Sequence, residues 1–208
     1  MSEETTIDSR EASKKSVRDK LHLQNTNAAM WTLLAILLGV VIYLAFQMIF
    51  MPYVAVGIFS LGLAPALAVI AVVGAIRGPI AGFLTGYIGE LLVSIFSTGG
   101  IVVFTLYGVA FGILGLVTGL ASYDFTRGRS LAKLSILSVI GIIFSALLYT
   151  VIGLLVEGIA VLVAIGFQLL PLLTLGIPSV FLLTPLFARV WLMTSTRVTR
   201  LVSPASNA

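Results

Sequence analysis

The sequence predicts an all-α integral membrane protein with about six transmembrane helices and with both termini in the cytoplasm. Composition, long uncharged runs and the placement of basic residues support this prediction. Of 208 residues, 59% are hydrophobic and 10% are charged, whereas soluble proteins carry about 45–50% apolar and about 25% charged residues. A water-soluble fold of this size would have too few polar side chains to cover its surface. We therefore expect lipid to be the solvent for most of the chain.

The uncharged runs are long enough to supply the spans, since a helix needs about 20 apolar residues to cross a bilayer. The predicted helices cover residues 28–51, 62–76, 79–97, 101–122, 134–156 and 172–193. An irregular stretch with Gly and Pro, 52–61, separates the first two. The run from Gly158 is too long for one span and contains prolines, so we expect 158–171 to be a re-entrant or loop segment. The predicted organisation is therefore a cytoplasmic tail, a transmembrane domain and a second cytoplasmic tail, over 1–27, 28–195 and 196–208.

The positions of the basic residues set the orientation in the membrane. All twelve Lys and Arg fall in segments that lie on one side if the N-terminus is cytoplasmic: 1–27, the turn at Arg77, 122–133 and the tail after 188. The segments on the other side contain none: 52–61, 98–100 and 157–171. Cytoplasmic segments carry an excess of Lys and Arg. The chain is therefore predicted to be a multi-pass protein of the plasma membrane with both ends inside.

Several kinds of chemistry are excluded by residue types that the chain lacks. Cysteine is absent, which excludes disulfides and cysteine-ligated metals. His22, the only histidine, lies in the polar N-terminal segment, so the spans cannot hold a histidine metal site or a Ser-His catalytic pair. The basic residues follow the membrane pattern and do not indicate nucleic acid. We expect no enzyme activity, and no metal, cofactor or nucleic acid bound by this chain.

Small residues at four-residue spacing predict close helix packing. Such ridges occur in the third and fourth predicted helices, at Gly78, Gly82 and Gly86 and at Gly108, Gly112, Gly115 and Gly119. Small side chains let helix backbones approach closely in lipid. A similar pair, Ala35 and Gly39, lies on the first helix. This pair either packs inside the protein or docks a partner subunit.

Glu90 is the one acidic residue deep within a predicted span. It lies about 17 Å along its helix at 1.5 Å per residue, beyond the midplane toward the outside. A carboxylate in that position costs at least about 2.5 kcal/mol to insert, and no Lys or Arg lies at a comparable depth. We therefore expect Glu90 to be protonated, hydrogen-bonded by neighbouring hydroxyls, or available to a ligand or proton.

Other polar and aromatic residues are predicted at the same outer level. They are Tyr43 and Gln47 on the first helix, Tyr107 on the fourth, Tyr149 on the fifth, and Tyr53 and Gln168 in the outer loops. A mostly apolar pocket with a few polar groups is typical of a small-molecule site. The alternative is that the tyrosines form an outer aromatic belt.

The stretch GAIRGPIAGFLTGYIGELL, residues 74–92, resembles the signature region of the substrate-binding S components of energy-coupling factor (ECF) vitamin transporters. In that family, a short second helix runs into a Gly-Pro turn, and a glycine-rich third helix ends in Gly-Asp or Gly-Glu. The resemblance covers most of 28–195, including a Gly-x-Pro pattern at 176–178, and its sharpest motif is the Gly-Pro-x-x-Gly of 78–82. Family members also carry an Ala-xxx-Ala-like pair that docks onto a transmembrane coupling subunit. Ala35 and Gly39 occupy the matching positions, where the glycine departs from alanine but keeps the surface flat.

The resemblance implies a substrate-binding subunit that captures a vitamin or related micronutrient from outside. It would deliver this ligand inward by toppling in the membrane, together with a coupling subunit and two ATPase subunits that use ATP. The chain has no GxxxxGK[ST] phosphate loop of its own. Glu90 suits a cationic group and so favours a thiamine-like ligand, with riboflavin, biotin and other vitamins open. The alternatives are a stand-alone proton-coupled carrier that uses Glu90 as its relay, and an assembly subunit of another membrane complex.

Overall fold

The computed structural model describes residues 26–48, 54–56, 59–98 and 106–202. Within these ranges the chain is almost entirely helical. The first five helices are α1 (Thr26–Met48), α2 (Pro65–Arg77), α3 (Pro79–Thr98), α4 (Leu106–Gly119) and α5 (Gly128–Val156). The sixth, α6, is continuous and consists of Val161–Val163, a π-helical turn at Ala164–Leu169, and Leu170–Val202.

Two short strands precede α2. β1 (Val54–Val56) pairs antiparallel with β2 (Phe59–Leu61), and Val54 lies opposite Leu61. The stretch 52–61 was expected to be irregular, so this part of the prediction is wrong for the strand residues. The pairing satisfies backbone groups next to the membrane region, where an unpaired peptide group is costly.

Among the residues that the structure describes, four helices are long and apolar enough to cross a membrane: α1, α3, α5 and α6. The apolar helices α2 and α4 are shorter, with 13 and 14 residues. Large apolar side chains also face outward, as on α1, where Leu33, Leu37 and Val41 are each more than half exposed. Water-soluble monomers rarely expose contiguous apolar surface of this kind. The helices are therefore those of a multi-pass membrane protein, while six spans and the orientation stay predictions.

Helix α2 lies at the centre of the fold. It packs against α1, α3, α4 and α6, and all its residues from Pro65 to Val72 are buried. Small side chains such as Ala68 and Ala71 let the neighbouring helices approach, while Ile70 fills the core. Helix α2 is therefore the central element around which these four helices pack.

A sharp turn joins α2 to α3. Helix α2 ends at Arg77, and Gly78 follows with φ of +94°. Residues other than glycine rarely adopt a φ angle in this region. Pro79 then opens α3, where its fixed φ suits the first helical position and its missing N–H is not needed. The Gly-Pro motif therefore reverses the chain in two residues and sets α3 against α2.

Helices α3 and α4 are in direct backbone contact. A Cβ atom added at Gly82 would overlap the backbone of Gly115, and one added at Gly115 would overlap Gly82. Further along, a Cβ at Gly86 would lie 2.7 Å from the carbonyl oxygen of Phe111. The glycine ridges predicted from spacing are thus used for packing inside the protein, as small-residue interfaces are in lipid.

Helix α6 departs most from the sequence prediction. Segment 158–171 was expected to be a re-entrant or loop segment, yet the chain is helical from Val161 onward, and Pro178 and Pro185 lie inside the helix. Pro185 has no N–H for the carbonyl of Phe181, four residues earlier. The Ser135 hydroxyl on α5 donates a hydrogen bond to that carbonyl at 3.1 Å. Because a neighbouring helix supplies the missing donor, the proline does not end the helix.

Candidate functional site

A chain of hydrogen bonds links α1 to α3 at the level of Glu90. The Gln47 Nε2 donates to the Tyr43 hydroxyl at 2.9 Å. That hydroxyl in turn donates to Oε2 of Glu90 at 2.8 Å. Tyr43 is completely buried, so the bond is shielded from solvent.

The dipeptide Gly89–Glu90 explains how Tyr43 reaches this position. A Cβ at Gly89 would lie 2.7 Å from the ring carbon Cδ1 of Tyr43. The glycine therefore makes room for the ring, and the next residue supplies the carboxylate that meets the hydroxyl. Two adjacent residues on α3 thus form both the apolar and the polar part of the Tyr43 contact.

Glu90 has no cationic partner in the part of the chain that the structure describes. The salt bridge found there joins Arg127 to Asp124 at 3.2 Å, in the exposed connection between α4 and α5. Glu90 is half-buried. From the sequence, Glu90 is expected to be protonated, hydrogen-bonded by neighbouring hydroxyls, or available to a ligand or proton. The hydrogen bond from Tyr43 corresponds to the second of these states.

Next to this hydrogen-bond chain lies a cavity of about 270 Å³, called here the outer cavity. Small-molecule sites commonly enclose about 300–1,000 Å³ and combine an apolar lining with a few polar groups. The outer cavity is lined by Gln47, Ala64, Ala66, Leu67, Phe111, Tyr149, Phe167, Gln168, Pro171, Leu172 and Leu175. Three of these residues offer polar side-chain groups, and the rest are apolar or aromatic. Its size and lining suit a small organic ligand.

Aromatic rings in mutual contact lie at one side of the outer cavity, where Phe111 and Tyr149 line it. The ring centroids of Tyr107 and Tyr149 lie 4.3 Å apart, and the Phe111 ring meets Tyr149 edge-on at 5.6 Å. The Tyr107 hydroxyl is buried and makes no hydrogen bond of good geometry to another described residue. Glu157 and Gln168 lie near enough to interact with it electrostatically.

Gln168 lies on the π-helical turn of α6, not in an outer loop as predicted. Its side chain packs against Gly153 of α5, where any Cβ would overlap the Gln168 amide. Its Oε1 atom is buried without a hydrogen-bond partner among the described residues. Single π turns occur often at functional sites, because they redirect a side chain within a helix. The turn and the glycine together place a free amide acceptor at the cavity wall.

The structure brings together the predicted site residues that it describes. Gln47, Tyr149 and Gln168 line the outer cavity. Tyr43 and Glu90 lie behind Gln47, and Tyr107 lies behind Tyr149. Tyr53 lies outside the described residues. The sequence reasoning missed the apolar lining, such as Phe167 and Leu172, since nothing in their local pattern separates them from lipid-facing residues.

A second concave surface, called here the inner groove, lies between α1, α2 and α6 and encloses about 480 Å³. Ala35 and Gly39, the predicted docking pair, both line it. Ala35 is half-buried at the surface of the groove, whereas Gly39 is buried. A Cβ at Gly39 would lie 2.8 Å from the Val73 side chain and 3.0 Å from that of Thr85. Gly39 therefore lets α1 pack closely on α2 and α3, and its docking role stays a prediction.

No protein-family model and no curated protein matches the chain. Within the described ranges, no group of three or more His, Cys, Asp or Glu side chains could hold a metal ion. The basis for proposing a function is therefore limited to three features of the chain itself: the hydrogen-bond chain to Glu90, the outer cavity and the inner groove.

Proposed function

We propose that this chain is the substrate-binding S component of an ECF-type importer, and that it captures a vitamin-like small molecule from the outer face of the plasma membrane. The observation that carries the proposal is the outer cavity, with polar groups from three helices at its wall and Glu90 connected to it through Tyr43 and Gln47. The proposal includes six spans and cytoplasmic termini. It also draws on the resemblance of residues 74–92 to the signature region of that family.

The polar groups at the outer cavity favour a ligand that donates hydrogen bonds. The Gln47 Nε2 is engaged by Tyr43, which leaves the Gln47 carbonyl oxygen as an acceptor. The Gln168 Oε1 is buried and unpartnered among the described residues, so it is a second acceptor. Tyr149 and Phe111 offer ring surfaces for a flat group. A flat molecule with N–H donors fits this set, and Glu90, connected to the cavity through Tyr43 and Gln47, favours a cationic one such as a thiamine-like ligand.

Delivery across the membrane would depend on partner subunits. The chain lacks a phosphate loop, so the proposal assigns ATP hydrolysis to two ATPase subunits and contact with them to a transmembrane coupling subunit. Docking would use the face that contains Ala35. We expect Ala35→Trp to leave ligand affinity unchanged within about twofold, because Ala35 does not line the outer cavity. The same variant should block assembly, and normal uptake by it would remove this face from docking.

Thermal unfolding with a panel of vitamins tests the binding role directly. A ligand that binds only the folded protein stabilises it by about 2.7 kcal/mol at a concentration 100 times its dissociation constant. We expect one cationic vitamin to raise the unfolding midpoint and a Gln168→Ala variant to respond less. A Gln24→Ala variant, which changes an amide in the polar N-terminal segment, should respond as the unchanged protein does. If no vitamin raises the midpoint, the binding role is wrong.

One observation supports a second function, that of a stand-alone proton-coupled carrier. Glu90 is a half-buried carboxylate that is hydrogen-bonded to Tyr43, and carboxylates in membrane spans often carry protons. Purification from native membranes separates the two functions. Co-purifying ATPases support the S component, a chain that transports without partners supports the carrier, and an unrelated complex supports an assembly subunit.

A further inference from the structure

The inner groove combines an apolar surface with a polar end. Apolar side chains from α1, α2 and α6, including Leu38, Val73 and Phe187, form most of its lining. At the end that the charge distribution assigns to the cytoplasm, the lining changes to Arg77, Trp31 and Trp191. The groove therefore matches the shape and polarity of a lipid molecule, because most of its lining is apolar and one end is basic.

Arg77 lacks a complete set of partners at this end. Its Nε atom is buried and has no hydrogen-bond partner among the described residues. None of the residues that line the groove is acidic. A buried donor without an acceptor costs about 1–3 kcal/mol, and more when the donor is charged. Arg77 lines the groove, and its planar guanidinium matches the oxygen acceptors of a phosphate well.

The position of Arg77 along the membrane normal selects the kind of anion. Trp31 is 54% exposed and Trp191 38% exposed, and both flank the same end of the groove. Tryptophan is enriched at the membrane–water interface, which is the level of lipid headgroups. Anionic phospholipids are concentrated in the cytoplasmic leaflet and are attracted by Lys and Arg near the surface. Arg77 is thus at headgroup depth on the side where anionic lipid is found.

We infer that the inner groove binds an anionic phospholipid of the cytoplasmic leaflet. An acyl chain lies along Leu34, Leu38 and Phe187, and the phosphate is bound by the Arg77 guanidinium. The groove shares no lining residue with the outer cavity, so this site is independent of ligand capture. The lipid occupies the isolated chain, and a coupling subunit that docked on Ala35 would replace it.

The two tryptophans allow a direct test, because they are the only ones in the chain and both line the groove. The purified protein is placed in phosphatidylcholine bilayers that contain a low fraction of brominated lipid, which quenches nearby indoles. Brominated phosphatidylglycerol is compared with brominated phosphatidylcholine at the same fraction. We expect about a fivefold preference for phosphatidylglycerol, the factor that corresponds to one basic residue at an anionic surface.

Two arginine variants identify the source of the preference. Arg77→Gln should abolish it, whereas Arg129→Gln should retain it, because Arg129 is exposed near the start of α5 and does not line the groove. Equal quenching by both lipids in the unchanged protein would overturn the inference. So would a preference that survives Arg77→Gln, or one that Arg129→Gln removes equally, since that would indicate only a diffuse field of basic residues.

A measurement without variants covers the case in which Arg77→Gln does not fold. Native mass spectrometry of the unchanged protein, extracted from membranes with both lipids present, should show one retained phosphatidylglycerol in preference to phosphatidylcholine. Retention of neither lipid, or of both in proportion to their abundance, would contradict a specific site.

Discussion

The α3–α4 interface and the outer cavity are built in opposite ways, although α4 contributes to both. At the interface, a Cβ atom at Gly82 or Gly115 would overlap the backbone of the other helix. At the cavity, the helices leave about 270 Å³ of space. The buried Gln168 Oε1 at its wall and the Tyr107 hydroxyl behind it are unpartnered among the described residues.

This difference separates a scaffold from a site. Closely packed regions lose stability when a methyl group is added, so they cannot accept another molecule. A region with spare volume and unpaired polar atoms has lower stability by itself and gains when a partner arrives. Helix α4 presents Gly112 and Gly115 to α3 but presents Phe111 to the cavity. One helix therefore packs on α3 through its glycines and lines the cavity with the Phe111 side chain, while the Phe111 backbone itself contacts Gly86 of α3.

The largest expected effect comes from breaking the scaffold. Gly115→Ala places a methyl group on the backbone of Gly82. We expect a loss of about 3 kcal/mol in the free energy of unfolding, since overpacking against backbone cannot be relieved by a rotamer change. Thermal unfolding in a mild detergent measures the loss.

Gly128→Ala is the matched control for that substitution. A Cβ at Gly128 has no heavy atom within 4 Å, so the change should stay within about 0.5 kcal/mol of the unchanged protein. Equal stability of both variants would show that α3 and α4 are not in backbone contact.

Removal of the Tyr43 hydroxyl should have the next largest effect. Tyr43→Phe leaves the Glu90 carboxylate without this donor and Gln47 without its acceptor. We expect a loss of about 2 kcal/mol in the free energy of unfolding, because two polar groups lose a partner in a shielded place. Tyr87→Phe, also on a spanning helix and half-buried, should cost less than about 0.5 kcal/mol. A similar cost for the two variants would mean that the hydrogen-bond chain adds nothing.

A smaller effect is expected on ligand affinity when the charge of Glu90 is removed. Glu90→Gln should weaken binding of a cationic ligand at least about tenfold, or about 1.4 kcal/mol. Isothermal titration in detergent measures the affinity. Asp124→Asn removes a carboxylate from an exposed residue of the α4–α5 connection, which does not line the outer cavity, and should change the affinity less than about twofold. Unchanged affinity in Glu90→Gln would remove Glu90 from the site.

The smallest effect is expected in the α4–α5 connection, which belongs to neither region. Hydrogen bonds from the Thr126 hydroxyl and backbone N–H, together with the Arg127 charge, hold the pKa of Asp124 below its usual value. A lowered pKa in the folded state adds stability above the ordinary carboxyl pKa, and this stability is lost as pH falls through the folded pKa. We expect Asp124→Asn to lower the unfolding midpoint slightly at neutral pH, with the difference shrinking in acid. A difference that grows in acid would contradict this pKa direction.

The sequence was sufficient for features that depend on local pattern. Uncharged runs predict where the helices lie. The Gly-Pro pair predicts the turn at Gly78 and Pro79, because glycine permits a positive φ and proline fixes φ at a value that suits the start of a helix. Glu90 is recognisable because a carboxylate in an apolar run is costly wherever it points. The glycine ridges likewise predict close packing from their spacing alone.

Features that depend on distant residues could not be predicted in this way. Helix α6 continues past Pro185 because Ser135, 46 residues from Phe181, serves the freed carbonyl. Tyr43 meets Glu90 across 47 residues, and the meeting requires the space that Gly89 leaves. The π turn that orients Gln168 has no local signal, because the residues around it would equally form a regular helix.

Mass spectrometry of small molecules released from the purified protein tests the central claim most directly. The protein would be extracted in mild detergent from cells grown in rich medium, and Glu90→Gln would be processed in parallel. The account predicts one vitamin-like cation, in a one-to-one ratio, that is lost or much reduced in the variant. Protein that releases no small molecule, and that no vitamin stabilises against heat, would contradict the claim that the outer cavity is a substrate site.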